Sequence, residues 1–199
     1  MTSPDTQPQV SVLTRACAST RIILENVRVE QLALPTPCSD WQVHDLIDHI
    51  LNSTDFFVDL AERGASPDDR PWPTYTDDFV PAFDELVRRL VAGFSEPGAM
   101  ARIMQLPTGP APGSQCIQVA VGEIFVHGWD LATATGQEMP PDHGVVEAVL
   151  ASDWPSMCAD VRNAHPWIFA PEVPVPADAS AMDRLVGFLG RDPNWIGDS

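Results

Sequence analysis

Proline and glycine divide this chain into helical segments, and this punctuation constrains the fold more than any other feature. The sequence holds 20 prolines. They cluster between stretches in which apolar residues recur at the helical period. The predicted helices cover residues 10–34, 39–63, 77–94, 114–135, 141–163 and 179–189. We therefore expect an all-α protein, most simply a four-helix bundle with extra C-terminal helices.

Local signals predict where two of these helices begin and end. Ser39 with Gln42 three residues later forms a capping-box pattern, which predicts the start of the second helix. Ser114 is the expected N-cap of the fourth helix, and Gly136 is expected to end it in the left-handed conformation.

The segment between the third and fourth helices differs from the other connections. Residues 100–113 include Pro107, Pro110 and Pro112. Because proline cannot continue a helix, we expect a long extended connection that crosses to the next helix.

Size and charge limit the domain count and the partners. With 199 residues, 44% of them apolar, the chain can bury one sizeable core. We expect a flexible N-terminus over residues 1–9 and a single domain over residues 10–199. The net charge of −17, without a single lysine, argues against nucleic acid and anionic membranes as partners.

Targeting signals and a disulfide framework are not indicated. The first residues are polar, and no uninterrupted apolar run approaches ~20 residues. The four cysteines lie far apart in the sequence, so reduced thiols are the default expectation. We expect a cytoplasmic protein.

Three residues on two predicted helices suggest a metal site. Glu123 and His127 are four residues apart, so their side chains leave the same helix face one turn apart. His49 lies at the edge of the apolar face of the second helix. Two imidazoles and one carboxylate form a ligand set for a divalent transition metal with an open coordination position.

Spacing alone leaves simpler explanations open. Glu123 and His127 are equally compatible with a surface hydrogen bond, because this spacing often occurs by chance. Asp48 or Asp130 could accept the second N–H of a ligating imidazole, although solvated helix-end charges explain both. His44, His143 and His165 are interpreted as surface or loop residues.

Cys38 and Trp129 are the remaining candidates. Cys38 is expected at a helix N-terminus, where the dipole favours a thiolate. Simple packing in the loop explains it better, because no reliable base is evident nearby in the sequence. Trp129, between His127 and Asp130, is the tryptophan we expect in a pocket wall.

Four motifs, together with His49, resemble a known family. They are Pro35–Trp41, Glu123–Leu131, Ala134–Gly136 and Phe188–Trp195. The chain resembles the DinB-like metalloproteins, in particular the actinobacterial branch similar to the N-terminal domain of mycothiol-dependent maleylpyruvate isomerase. The likeness spans essentially the whole chain.

The resemblance implies a four-helix bundle whose divalent metal, zinc or nickel, is held by His49, Glu123 and His127. It also implies a thiol cosubstrate, mycothiol, that attacks an electrophilic small molecule in an S-transferase or isomerase reaction. The isomerase proper has a further C-terminal domain that helps form its substrate site, whereas this chain stops shortly after the bundle. We therefore expect a different electrophile.

Two alternatives stay open at this point. The bundle could bind a metal or a small molecule without catalysis, with coordination closed by the protein. An exposed apolar flank on the first or fifth helix would allow a homodimer, but intramolecular packing explains the same pattern.

Overall fold

Four long helices form the frame of the protein. The structure is a computed structural model that describes residues 6–38, 40–75, 79–164 and 170–197. They are α1 (Thr6–Glu25), α2 (Val43–Arg63), α3 (Phe79–Ser95) and α4 (Gly113–Thr135). Three shorter helices follow: α5 (His143–Leu150), α6 (Trp154–Ala164) and α7 (Ala181–Phe188). The predicted all-α bundle with extra C-terminal helices is confirmed. Among the described residues, no helix combines the length and apolar character needed to cross a membrane.

The order of the helices around the bundle explains its connections. Helix α1 packs against α3 and α4, and α2 packs against the same two helices. Consequently α1 and α2 occupy opposite corners, and α3 and α4 occupy the other two. The connection from α3 to α4 therefore crosses one end of the bundle, as predicted.

The crossing connection is more regular than expected. It contains a short 3₁₀ turn and an antiparallel hairpin of β1 (Ile103–Leu106) and β2 (Gly109–Pro112), with Leu106 opposite Gly109. The prolines in β2 correctly predicted extended backbone, but they argued against a paired strand, so the hairpin was not predicted. A two-stranded hairpin tolerates them because one edge of each strand needs no backbone donor.

The loop between α2 and α3 runs back along α2. The Asn52 side chain donates to the carbonyl of Pro73 over 2.9 Å, and the Asp48 carboxylate accepts the backbone N–H of Tyr75 over 2.7 Å. Arg70 reaches Asp55 at 2.7 Å. Asp48 therefore fixes this loop, and among the described residues it has no imidazole partner.

Two predicted helices are shorter or divided in the structure. Helix α1 ends at Glu25, not near residue 34, and a separate 3₁₀ turn follows. In that turn the Gln31 side chain accepts the Arg28 N–H and donates to the Thr135 carbonyl, bonds that replace helical ones. The predicted helix over 141–163 is two helices, because Ser152 caps the break by accepting the Trp154 N–H over 3.2 Å.

The helix ends agree with the sequence signals only in part. The predicted cap Ser39 and the predicted start of α3 near Asp77 lie outside the described residues. Helix α2 begins at Val43, where the Asp45 carboxylate accepts the Gln42 N–H over 2.9 Å. Helix α4 begins at Gly113, so the prediction of Ser114 as its N-cap is wrong, whereas Gly136 ends the helix at φ 67°, as predicted. The division into a tail of residues 1–9 and one domain stays a prediction, although α1 begins at Thr6.

Two glycines set the position of α4. A Cβ on Gly122 would lie 2.5 Å from the indole of Trp154, and one on Gly128 would lie 2.3 Å from the hydroxyl of Thr20. That hydroxyl donates to the Ile124 carbonyl over 2.9 Å. Helix α4 is thus held tightly against α6 and α1, which leaves its Glu123 face directed at α2.

Candidate metal centre

The structure brings together the three residues singled out for metal binding. His127 and Glu123 lie one turn apart on α4, and His49 faces them from α2. The Nε2 atom of His127 is 3.4 Å from Oε2 of Glu123, and Nε2 of His49 is 3.7 Å from the same oxygen. All three donor atoms lie within 4.8 Å of one another. The two imidazole rings meet nearly edge to face, with centroids 4.7 Å apart.

These separations suit a shared ion better than direct hydrogen bonds. His49 Nε2 is buried and has no hydrogen-bond partner among the described residues, which is costly for a polar atom. Two donor atoms that each lie about 2.0–2.1 Å from a tetrahedral ion are roughly 3.4 Å apart. The residues present therefore fit a divalent metal with nitrogen and oxygen ligands.

The cluster is partly open on one side. The side chains of His49 and Glu123 are 27% and 23% exposed. The ring of Trp41 lies 4.6 Å from the ring of His49 and 5.9 Å from that of His127. Trp41 therefore forms an aromatic wall beside the three residues.

The charges within the cluster favour an ionised carboxylate. Burial acts to raise the pKa of Glu123, but the neighbouring His127 and His49 outweigh it and hold that pKa well below its usual range. Burial lowers the pKa of His49, and Glu123 offsets this only in part. A neutral imidazole beside a carboxylate is the protonation state in which these groups bind metals.

A second group of residues lies on the other side of the His127 ring. The Nδ1 atom of His127 is 3.0 Å from Oδ2 of Asp130, which is fully buried. Arg191 donates to both oxygens of Asp130, over 3.2 and 2.9 Å. The thiol of Cys38 donates to Asp130 over 3.2 Å and lies 3.4 Å from Nη2 of Arg191.

Electrostatics in this second group hold Asp130 ionised. Burial acts to raise the pKa of Asp130, but Arg191 and His127 outweigh it and keep the pKa well below its usual range. Burial acts to lower the pKa of His127, but Asp130, Cys38 and Glu123 outweigh it and raise that pKa well above its ordinary value. The interpretation of Asp130 as a solvated helix-end charge is therefore wrong, because the carboxylate faces the imidazole inside the protein.

Cys38 does not lie at a helix N-terminus, so the predicted dipole effect does not apply. It sits in the loop before α2, where its carbonyl accepts the Trp41 N–H over 3.1 Å. Arg191 was not identified from the sequence, because it follows α7 and is distant along the chain from every other member of the group. The motif Phe188–Trp195 was the available signal, since it contains Arg191.

The other candidates lie away from the cluster. Trp129 lines a cavity of about 480 Å³ between α4, α5 and α7 that none of the three clustered residues lines. His143 borders the same cavity and is exposed. His44 is half exposed and contacts the Leu32 carbonyl through Nδ1 over 3.1 Å. His165 lies outside the described residues.

The chain matches a known protein family and two similar mycobacterial proteins. Residues 13–132 match the family described as the mycothiol maleylpyruvate isomerase N-terminal domain. Two uncharacterized proteins from strains of Mycobacterium tuberculosis are 34% identical over 170 residues, covering 85% of this chain and 90% of theirs.

Two crystal structures share the fold. A mutant of the mycothiol-dependent maleylpyruvate isomerase has a TM-score of 0.56 and 15% identity, covering 81% of this chain and 72% of that one. A second structure of the isomerase has a TM-score of 0.55 and 16% identity, covering 79% and 75%. At these identities the structural likeness establishes a common helical fold and nothing further.

Proposed function

This chain belongs to the family of the mycothiol maleylpyruvate isomerase N-terminal domain, and from that membership we propose that it is a metal-dependent enzyme that uses a thiol. The proposed ligands of the divalent metal, zinc or nickel, are His49, Glu123 and His127. The proposed cosubstrate is a low-molecular-weight thiol, mycothiol, which adds to an electrophilic small molecule. The product follows from S-transfer or from isomerisation.

One observation carries this proposal: three ligand atoms converge, and one of them, His49 Nε2, is buried without a hydrogen-bond partner in the part of the chain that the structure describes. When bound there, a divalent ion supplies Lewis acidity that keeps a thiol ionised near neutral pH, and the thiolate is the reactive nucleophile. The three side chains would leave an open position, which is the pattern of catalytic rather than structural sites.

The residues around the cluster have separate tasks in this proposal. Glu123 supplies the anionic ligand, and its depressed pKa keeps it ionised. Trp41 shields one side of the imidazoles, so that small molecules approach from the open side. The electrophile would enter through the same opening, next to the sulfur that attacks it.

The first experiment measures metal content in protein purified without an affinity tag. We expect about one equivalent of a divalent ion in the wild type and almost none in His127→Ala or His49→Ala. His44→Ala is the matched control, because His44 is a half-exposed histidine on the same helix as His49 and should leave the metal content unchanged. Wild-type protein that neither contains nor takes up a divalent ion would refute the metal centre.

A second experiment separates catalysis from simple metal binding. The metal-loaded protein is mixed with mycothiol, or with another small thiol as a comparison, and an activated aryl halide whose thioether product absorbs light. Metal-dependent product formation that His127→Ala abolishes supports the enzyme. Binding of metal without turnover of any thiol and electrophile would favour a non-catalytic metal-binding bundle.

A further inference from the structure

Asp130 is the most completely partnered side chain near the proposed metal centre. It is fully buried, and its Oδ2 atom receives hydrogen bonds from His127, Cys38 and Arg191. Its Oδ1 atom receives a further bond from Nε of Arg191. A carboxylate held at both oxygens by a guanidinium has almost no orientational freedom.

This fixed carboxylate determines which nitrogen of His127 is available. Because Oδ2 of Asp130 faces Nδ1, that nitrogen carries a proton and donates it. Once the ring has lost its other proton, as binding of a metal requires, its lone pair is on Nε2, which lies 3.4 Å from Glu123. A carboxylate that accepts the second N–H of a ligating imidazole fixes both tautomer and ring orientation.

Arg191 reaches the centre from outside the four-helix frame. It follows α7, where its backbone N–H donates to the Val186 carbonyl over 2.9 Å and its Nη1 donates to the Leu189 carbonyl over 3.1 Å. Only 11% of its side chain is exposed. The guanidinium is therefore anchored on the C-terminal part of the chain while its other nitrogens hold Asp130.

We infer that Arg191 and Asp130 are positioning residues of the proposed metal centre: Arg191 clamps Asp130, and Asp130 holds His127 so that Nε2 is presented to the ion. The C-terminal segment thus completes a centre whose ligands all come from α2 and α4. This inference rests on the proposed function, because it concerns the same metal.

The test is zinc affinity, measured by competition with a chromophoric chelator. We expect Asp130→Asn to bind zinc about 10–100-fold more weakly than the wild type, as is typical when a partner of a ligating histidine is lost. Arg191→Gln and Arg191→Lys should also weaken binding, since lysine restores the charge but not the two-pronged contact. Arg184→Gln is the control, because Arg184 is an exposed arginine on α7 that donates to the Ala179 carbonyl.

A role confined to folding would give a different result. Each variant is melted without metal, and affinity is compared among the variants that remain folded. Removing both charges together, in Asp130→Asn with Arg191→Gln, avoids an unpaired buried ion and serves as the second variant. Lower zinc affinity in a folded double variant supports the inference, as does lower affinity in folded Arg191→Lys.

Wild-type affinity in either of those two variants would overturn the positioning role while leaving the metal centre intact. A wild-type protein that binds no zinc would instead refute the proposed function, and the inference with it. The same titration series therefore separates the two failures.

Discussion

The two ring nitrogens of His127 face regions that are built in opposite ways. On the Nε2 side, His127 and His49 stand 3.4 and 3.7 Å from Glu123, and the side chains of His49 and Glu123 are partly exposed. On the Nδ1 side, the contacts of Asp130 with His127 and Arg191 measure 2.9 to 3.2 Å, and Asp130 is fully buried. We call these the open side and the closed side.

The difference separates two tasks. The closed side is satisfied by the protein alone, so it keeps its geometry without any ligand. Among the described residues, the open side leaves one buried nitrogen, His49 Nε2, without a hydrogen-bond partner, and in the proposed function a bound metal ion would satisfy it. Variants on the closed side should therefore lower the stability of the metal-free protein as well as the metal affinity, whereas variants on the open side should act mainly on ligand binding.

The largest expected effect is on the closed side. Asp130→Ala should lower the free energy of unfolding of the metal-free protein by about 3–5 kcal/mol, because it leaves the Arg191 guanidinium buried without a counter-ion. Urea denaturation in the presence of a chelator measures this loss.

Glu123→Gln is the matched variant on the open side. In the same assay it should lower the stability by less than Asp130→Ala does, because Glu123 is partly exposed and its separations to both imidazoles exceed those of good hydrogen bonds. Equal losses in the two variants would show that the open side is also a preformed structural unit.

The next effect is the stabilisation of the protein by a metal ion bound on the open side. Zinc at a free concentration of 100 times its Kd should raise the free energy of unfolding by about 2.7 kcal/mol. His49→Ala should abolish this gain, whereas His44→Ala should keep it. Thermal melting with and without zinc measures both, and equal stabilisation of the two variants would place the ion elsewhere.

Local sequence patterns predicted the frame of this protein and the open side. Helical periodicity and proline positions yielded α2 and α4 with useful accuracy, and the four-residue spacing of Glu123 and His127 placed them on one face. The convergence of His49 with them follows from packing between helices. His49 was proposed as the third ligand from its place at the edge of the apolar face of α2, and the family resemblance strengthened that expectation. Spacing within one helix says nothing about a second helix.

The closed side could not be predicted by the same reasoning. Its members come from the loop before α2, from α4 and from the segment after α7, so that Cys38 and Arg191 are 153 positions apart. Only tertiary structure shows that Asp130 points inward, since a carboxylate near a helix end is usually solvated. The β1–β2 hairpin was missed for a related reason: its pairing depends on two short segments meeting, not on a pattern within either.

Gly128 tests whether the two sides move together. Gly128→Ala should cost about 1–3 kcal/mol, because its Cβ would lie 2.3 Å from the Thr20 hydroxyl in a tightly packed contact. We also expect weaker zinc binding, since a displacement of α4 moves His127 and Glu123 relative to His49. Combining it with Thr20→Ala should recover part of the stability beyond the sum of the single changes, as a double-mutant cycle would measure.

The smallest effect comes from an ion pair of the same residue types at the surface. Asp142 pairs with Arg15, joining α5 to α1, and Arg15 is 48% exposed. Burial acts to raise the pKa of Asp142, but Arg15 and the backbone N–H groups outweigh it and lower the pKa. Because solvent screens this pair, Asp142→Asn should cost under about 1 kcal/mol, far less than the change at Asp130.

The pH dependence gives this last prediction its sign. A carboxyl whose pKa is lowered by folding stabilises the protein above its unfolded value of about 3.9, and this contribution disappears as the pH falls through the folded value. Wild type and Asp142→Asn should therefore differ at pH 6, and the difference should shrink as the pH falls below the unfolded value of about 3.9. Asparagine still caps α5 at the Val145 N–H, so the comparison isolates the charge. A loss at pH 6 as large as that of Asp130→Ala would show that burial is not what distinguishes the closed side.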